Sequence, residues 1–312
     1  MPKTIFIEIP TWLGDTVMTT PAIENIVKIY PQCKLIIFGS FISTKVFSNH
    51  PNVKKIIIDN SKKEGNRYIN LYKLAKSIAK VDLAFSFRKN FTTKFLMFFI
   101  NSNKKYIYKR YTKNTKHQVI RYNDFINKSL SIKTFPDDLK IYLNQTKSDK
   151  KLLGINPGAT YGNAKRWYPK EFAKVAIAKA SEYDIVIFGG PSEVEMAKDI
   201  EYELKNEGIE NYKNLAGKTT IKELIENISS LSLFITNDSG PMHIAAAFFI
   251  PTVCIFGPTR TEETSQWNNA NSTIVKKDYD CMPCMKRECY LVGKPNHKCM
   301  KNITAQDVLD VL

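Results

Sequence analysis

The apolar runs of this chain are short, nearly unbroken and separated by amphipathic stretches. That rhythm restricts what the chain can fold into more than any other feature. TIFIEIP (4–10) reads as a strand and Asp15 to Tyr30 as a helix. KLIIFGS (34–40) is a strand with a helix after it, KKIIID (54–59) a strand, and Asn66 to Ala79 a helix. VDLAFSF (81–87) is a strand followed by a helix through TTKFLMFFI. Strands apolar at nearly every position are buried on both faces, and helices between them supply the crossovers that parallel neighbours need. A polar, basic stretch near 144–151 interrupts the pattern, and it then restarts with KLLGINPGA, YDIVIFGGPSE, LSLFITNDSGPMHIAAAF and PTVCIFGPT. The chain therefore predicts two doubly wound α/β domains, residues 1–147 and 148–312. A terminal amphipathic helix, TAQDVLDVL, could pack back on the first. Two such domains imply a cleft, with the loops after the strand carboxyl ends carrying the chemistry.

Composition narrows the class. The chain has 312 residues, 43% of them hydrophobic, enough for two cores. No apolar run approaches a membrane span, and Glu8 interrupts the first strand where a signal peptide would stay apolar. The expectation is a cytoplasmic protein. The formal charge is +16, and residues 101–150 hold 12 Lys and Arg against 4 Asp. A local basic surface suits an anionic partner: nucleic acid, phospholipid head groups or a phosphorylated glycan. Six cysteines in so long a chain are too few for a disulfide scaffold.

Three loops can do chemistry. In PTWLGDTVMTTPAIENI, Asp15 follows Gly14 where a strand turns into a helix. It reads either as an N-cap or as a carboxylate at the strand end, where open α/β sheets keep their sites. In TNDSGPMHIAAA a helix opens directly from a strand end. Its free N–H groups and positive dipole end make an anion site suited to a diphosphate, with Gly240 allowing close approach and His243 in the first turn. NPGATYGNAKRWYP adds the Thr160 hydroxyl and the charges of Lys165 and Arg166. A lysine opposite a helix N-terminus is a natural phosphate partner. No GxGxxG, P-loop, GxSxG elbow or catalytic metal spacing is present. A carboxylate in one domain and a diphosphate site in the other fit transfer of a nucleotide-activated group to a hydroxyl.

The stretches WLGDTVMTTPAIENI, NPGATYGNAKRWYPKEFA, TNDSGPMHIAAA and VCIFGPT resemble, in order and across nearly the whole chain, those of glycosyltransferase family 9, the ADP-heptose:lipopolysaccharide heptosyltransferases. PTWLGD and the tail CMPCMKRECYLVGKPNHKCM are closer to heptosyltransferase II than to I. The resemblance implies a GT-B fold, metal-independent chemistry without a cofactor, and inversion at the donor carbon. The implied reaction moves a heptose from ADP-heptose to a lipid-linked inner-core oligosaccharide, at the cytoplasmic face of the inner membrane. By position, Asp15 takes the general-base role and Lys165 the diphosphate contact. Thr160, Tyr161, Glu193, Asp238, Ser239, Gly240, Met242 and His243 fall on the donor side. Trp12, Arg88, Lys89, His117 and Arg121 fall on the acceptor side. Cys281, Cys284, Cys289 and Cys299 are spaced C-x2-C-x4-C-x9-C, which permits structural zinc or four reduced thiols. Heptosyltransferase I, or a related enzyme using another sugar nucleotide, is the nearest alternative. A nucleic-acid-binding protein, suggested by YIYKRYTKNTK and charge alone, leaves Asp15 and the glycine loops without a role.

Overall fold

The structure, a computed structural model, describes residues 2–63, 65–143 and 149–312. It divides into two units, Met1–Leu143 and Asn144–Leu312. The boundary expected at residue 147 lies outside the described residues.

In the first unit the strands are β1 Thr4–Glu8, β2 Lys34–Gly39, β3 Val53–Ile58, β4 Val81–Ser86 and β5 Ser102–Ile107. They form one parallel sheet in the order β3-β2-β1-β4-β5 among the described residues. In the second unit β6 Leu152–Asn156, β7 Asp184–Ile187, β8 Tyr212–Asn214, β9 Leu233–Asn237, β10 Thr252–Ile255 and β11 Ser272–Val275 form a second parallel sheet, ordered β11-β10-β9-β6-β7-β8. Both orders are those of doubly wound nucleotide-binding folds. Central strands are buried along nearly their whole length, as in β1, β9 and β10, whereas the edges β5 and β8 stay largely in solvent.

In both sheets the winding reverses between two adjacent strands, β1 and β4 in one and β6 and β9 in the other. Loops leaving such a pair diverge and open a crevice at the carboxyl ends. The helix expected over Asp15–Tyr30 is two helices, Leu13–Met18 and Thr20–Ile29. The second carries Pro21 in its first turn, where a missing N–H costs nothing. The terminal helix Ala305–Leu309 falls within the second unit. Ala305 and Val308 join the second unit's core, and the Ala305 N–H donates to Glu171 at 2.7 Å.

Candidate active site

At the reversal point of the first sheet the loops enclose a cavity of about 380 Å³. The loop after β1 contributes Trp12 and Asp15, and the loop after β4 contributes Arg88, Lys89 and Asn90. Tyr108 and Arg110 come from beyond β5, and Gln118, Arg121 and Tyr122 from the helix Gln118–Leu130. Asp15 is the one acid among these lining residues, facing four cationic side chains.

Asp15 is not the helix cap. Trp12 occupies that position without a side-chain bond, and Asp15 lies in the first turn, where the helix dipole favours a carboxylate. The turn is fixed by Thr16, whose hydroxyl donates to the Pro10 carbonyl at 3.0 Å. Tyr122 shares a hydrogen bond with Asp15. Its phenol is pushed well above the usual range, first by burial and then by the Asp15 charge, so it stays a hydrogen-bond donor.

Arg88 owes its position to a residue that sequence reasoning treats only as a break in an apolar run. Glu8, at the end of β1, is 1% exposed and lies 3.3 Å from the Arg88 guanidinium. It also accepts from Ser86 Oγ at 2.6 Å and Thr93 Oγ1 at 3.1 Å. Burial pushes the Glu8 carboxyl up, against the pull of Arg88 and the two hydroxyls. A charge inside a strand buried on both faces must be paired, and that is the available signal. His117 is buried and does not line the cavity. It caps the helix Gln118–Leu130, its Nδ1 accepting from the Val119 N–H at 3.3 Å.

The second unit gathers a different set at its own reversal point. Lys165 Nζ contacts Asp238 Oδ2 at 2.5 Å, lies 4.7 Å over the Tyr161 ring, and sits 3.4 Å from the Asp238 carbonyl. Asp238 also accepts from Thr259 Oγ1 at 2.6 Å, so it orients the lysine from behind. Asn156 ties the two strand ends together, donating to Thr236 Oγ1 at 3.0 Å and Ser239 Oγ at 3.1 Å. Asn237 accepts from the Trp167 N–H at 3.0 Å and donates to the Pro157 carbonyl at 2.7 Å. Ser239 is the N-cap of the helix Gly240–Ala247 and forms no side-chain cap bond.

The remaining residues expected on the donor side have the following surroundings. Met242 is fully buried, in a cluster with Cys254 and Phe256. His243 is buried in the same helix. Thr160 is exposed. Glu193 accepts from the Gly190 N–H at 2.8 Å and lies against Gly158 so closely that a Cβ there would come within 2.1 Å of its carboxyl group.

The cysteine-bearing tail braces the Lys165 loop. The Ala164 N–H donates to the Arg287 carbonyl at 3.0 Å, and the Tyr161 hydroxyl to the Met285 carbonyl at 2.9 Å. His297 Nε2 is 3.1 Å from the Ala164 carbonyl, and its Nδ1 2.9 Å from the Tyr168 hydroxyl. Trp167, fully buried, donates its indole N–H to the Ile303 carbonyl at 2.9 Å. Cys281, Cys284, Cys289 and Cys299 are free thiols, and burial, then the other three, push Cys299 up to about 11. Among the described residues no three His, Cys, Asp or Glu side chains are grouped to hold a metal ion, so the zinc expectation finds no ligand set.

Residues 109–294 match the sequence profile of Glycosyltransferase family 9 (heptosyltransferase). The chain is 44% identical over 314 residues to lipooligosaccharide heptosyltransferase 2 of Campylobacter jejuni serotype O:2, covering 98% of this chain and 96% of that one. Lipopolysaccharide heptosyltransferase 1 of Campylobacter coli is 26% identical, with 96% and 95% covered. The solved structure of the Escherichia coli ADP-heptose lipopolysaccharide heptosyltransferase II superposes with a TM-score of 0.79 at 22% identity, over 99% of this chain and 97% of that one, and so shares the fold. By profile, full-length identity and fold, the chain belongs to glycosyltransferase family 9, the heptosyltransferases.

Proposed function

We propose that this chain is an inverting heptosyltransferase of type II. It moves a heptose from ADP-L-glycero-D-manno-heptose to the heptose of a lipopolysaccharide or lipooligosaccharide inner core, with Asp15 as general base. The observation that carries this reading is the single carboxylate set among Arg88, Lys89, Arg110 and Arg121 at the carboxyl end of the first sheet. Such a pocket attracts an anionic acceptor and offers its hydroxyl one proton acceptor. The much greater identity to a type 2 than to a type 1 relative favours the second heptose over the first.

Charge development then assigns the remaining groups. As the bond to the diphosphate breaks, negative charge grows on the leaving oxygens, and Lys165 and the N–H groups opening the helix Gly240–Ala247 offset it. Positive charge grows on the sugar, and the acceptor hydroxyl attacks from the opposite face while losing its proton to Asp15. Asp238 and Thr259 hold Lys165 ready until the phosphates take it over. With these protein groups stabilising the leaving group, turnover is expected to persist in EDTA, and loss of activity restored by a divalent ion would contradict that. The acceptor is lipid-linked, which brings the enzyme to the cytoplasmic face of the inner membrane as a peripheral protein.

The test is purified protein with ADP-heptose and core acceptors carrying no heptose or one heptose. Transfer to the one-heptose acceptor alone supports the reading. Transfer to the heptose-free acceptor would make it a type I enzyme, and transfer only from another sugar nucleotide would overturn it.

A further inference from the structure

The helices Arg67–Ser77 and Phe91–Phe99 pack against each other and turn Leu71, Ala75, Leu96 and Met97 into the first unit's core. Their outward sides carry large apolar groups. Phe91 and Phe98 are 69% and 75% exposed, and Tyr68, Ile69 and Tyr72 are exposed beside them. The rings form one connected ridge. Tyr68 meets Phe91 at 5.9 Å and Phe95 at 5.1 Å, Phe95 meets Phe99 at 5.0 Å, and Phe99 meets Tyr72 at 4.9 Å and Phe98 at 5.0 Å. A contiguous apolar surface of this kind marks an interaction site, whereas single exposed rings do not.

Charge says what covers it. The stretch from Lys62 to Lys105 holds eleven Lys and Arg against two acids, Glu64 and Asp82. Asp82 is already engaged by the Lys3 and Thr4 N–H groups at 2.7 and 2.9 Å. Lys76 lies 5.8 Å over the Tyr72 ring, and Lys105 donates to the Phe98 carbonyl at 2.9 Å, so ammonium groups stand directly on the ridge. Lys73 and Lys94 are exposed on the same two helices. A second copy of the chain docking here would bring these lysines against their own kind. An anionic lipid surface would accept both features, rings at headgroup depth and ammonium groups on phosphates. The ridge also begins at the cavity: Asn90, which lines it, caps the helix that opens with Phe91, accepting from the Thr93 N–H at 2.8 Å.

We infer that this aromatic ridge docks the protein on an anionic phospholipid bilayer, and thereby holds the Asp15 pocket where the sugar of a lipid-linked acceptor projects. The second clause rests on the proposed function; the first does not. The test is flotation of the full chain with vesicles of phosphatidylcholine, with and without phosphatidylglycerol. Binding is expected only with phosphatidylglycerol and is expected to weaken as salt rises. The double variant Phe91→Ser, Phe98→Ser is expected to bind at least about tenfold more weakly. It should keep the wild-type melting temperature, ADP affinity and turnover on a water-soluble, deacylated acceptor. Lys73→Glu with Lys94→Glu is expected to lose vesicle binding likewise. Equal binding of the Ser variant, no binding of the wild type, or a dimer that the Ser variant abolishes would each overturn the inference. Vesicle binding by a wild type that transfers no heptose would leave the docking surface standing and remove only the functional reading.

Discussion

Two side chains far apart in sequence set the charge of the cavity proposed to take the acceptor. Arg88 lines the cavity, but Glu8, buried behind it, holds the guanidinium in place. Glu8→Gln keeps an oxygen for Ser86 or Thr93 and loses the charge that fixes Arg88. Removing one partner of a buried ion pair costs about 3–5 kcal/mol, so Arg88 is expected to lose its fixed position and the acceptor KM to rise roughly tenfold or more. kcat is expected to stay within a few fold, and ADP affinity to be unchanged. Leaving the Arg88 charge without its buried partner should also lower the melting temperature, an effect that the burial cost of the Glu8 carboxylate offsets only in part. Steady-state kinetics against acceptor concentration checks this, and an unchanged KM would mean that Arg88 needs no such support. Asp15, Lys165 and Arg88 are legible in the sequence because short motifs carry them. Glu8 signals only that some partner must pair it, and Tyr122 and Asn156 are not singled out, because each acts through a partner that only the folded chain brings near.

Secondary-structure elements are legible in proportion to their burial. β1, β2, β4, β6, β7, β9 and β10 announce themselves as apolar runs because both faces are covered. β5, β8 and β11 escape such a reading. They are edge strands with one neighbour each, and SNKKYI and YKN carry the polar residues that edges tolerate, whereas the edge strand β3 is legible because its run ends in three isoleucines. The tail draws attention for its cysteines, whereas its role in the fold is mechanical. Gly162 lies against it so tightly that a Cβ would come within 2.3 Å of the Arg287 carbonyl oxygen. Backbone cannot swing aside as a side-chain end can. Gly162→Ala is therefore expected to destabilise the protein by about 1–3 kcal/mol, the usual cost of overpacking. It is also expected to weaken ADP binding about tenfold, because Lys165 moves with the loop. Calorimetry showing wild-type ADP affinity in this variant would contradict the bracing role of the tail.

At the scale of the whole molecule the chain uses one topology twice, and the proposed function gives the two copies different chemical tasks. The segment leaving the first unit is tied to it through Glu24. Glu24 accepts from Tyr142 Oη at 3.1 Å, lies 3.0 Å from His50 Nε2 and 3.8 Å from Lys140 Nζ. Burial pushes this carboxyl up, but His50, Lys140 and Tyr142 together hold it below its usual range. A depressed carboxyl contributes stability above its unfolded pKa and loses it as pH falls through the folded value. The melting temperature should therefore drop below about pH 4.5, and drop less steeply in Glu24→Gln; parallel curves would show that the cluster is not what acid breaks. The division of tasks itself is tested by Asp15→Asn, since the second unit would bind the donor without Asp15 and the first could not deprotonate the acceptor. The substitution is expected to leave the fold intact, because Asp15 is not the residue that caps its helix. The decisive measurement is the transfer rate of this variant from saturating ADP-heptose to a one-heptose acceptor, beside its ADP affinity. We predict wild-type ADP binding with transfer reduced by about 10² to 10⁴; near-normal transfer would contradict the account.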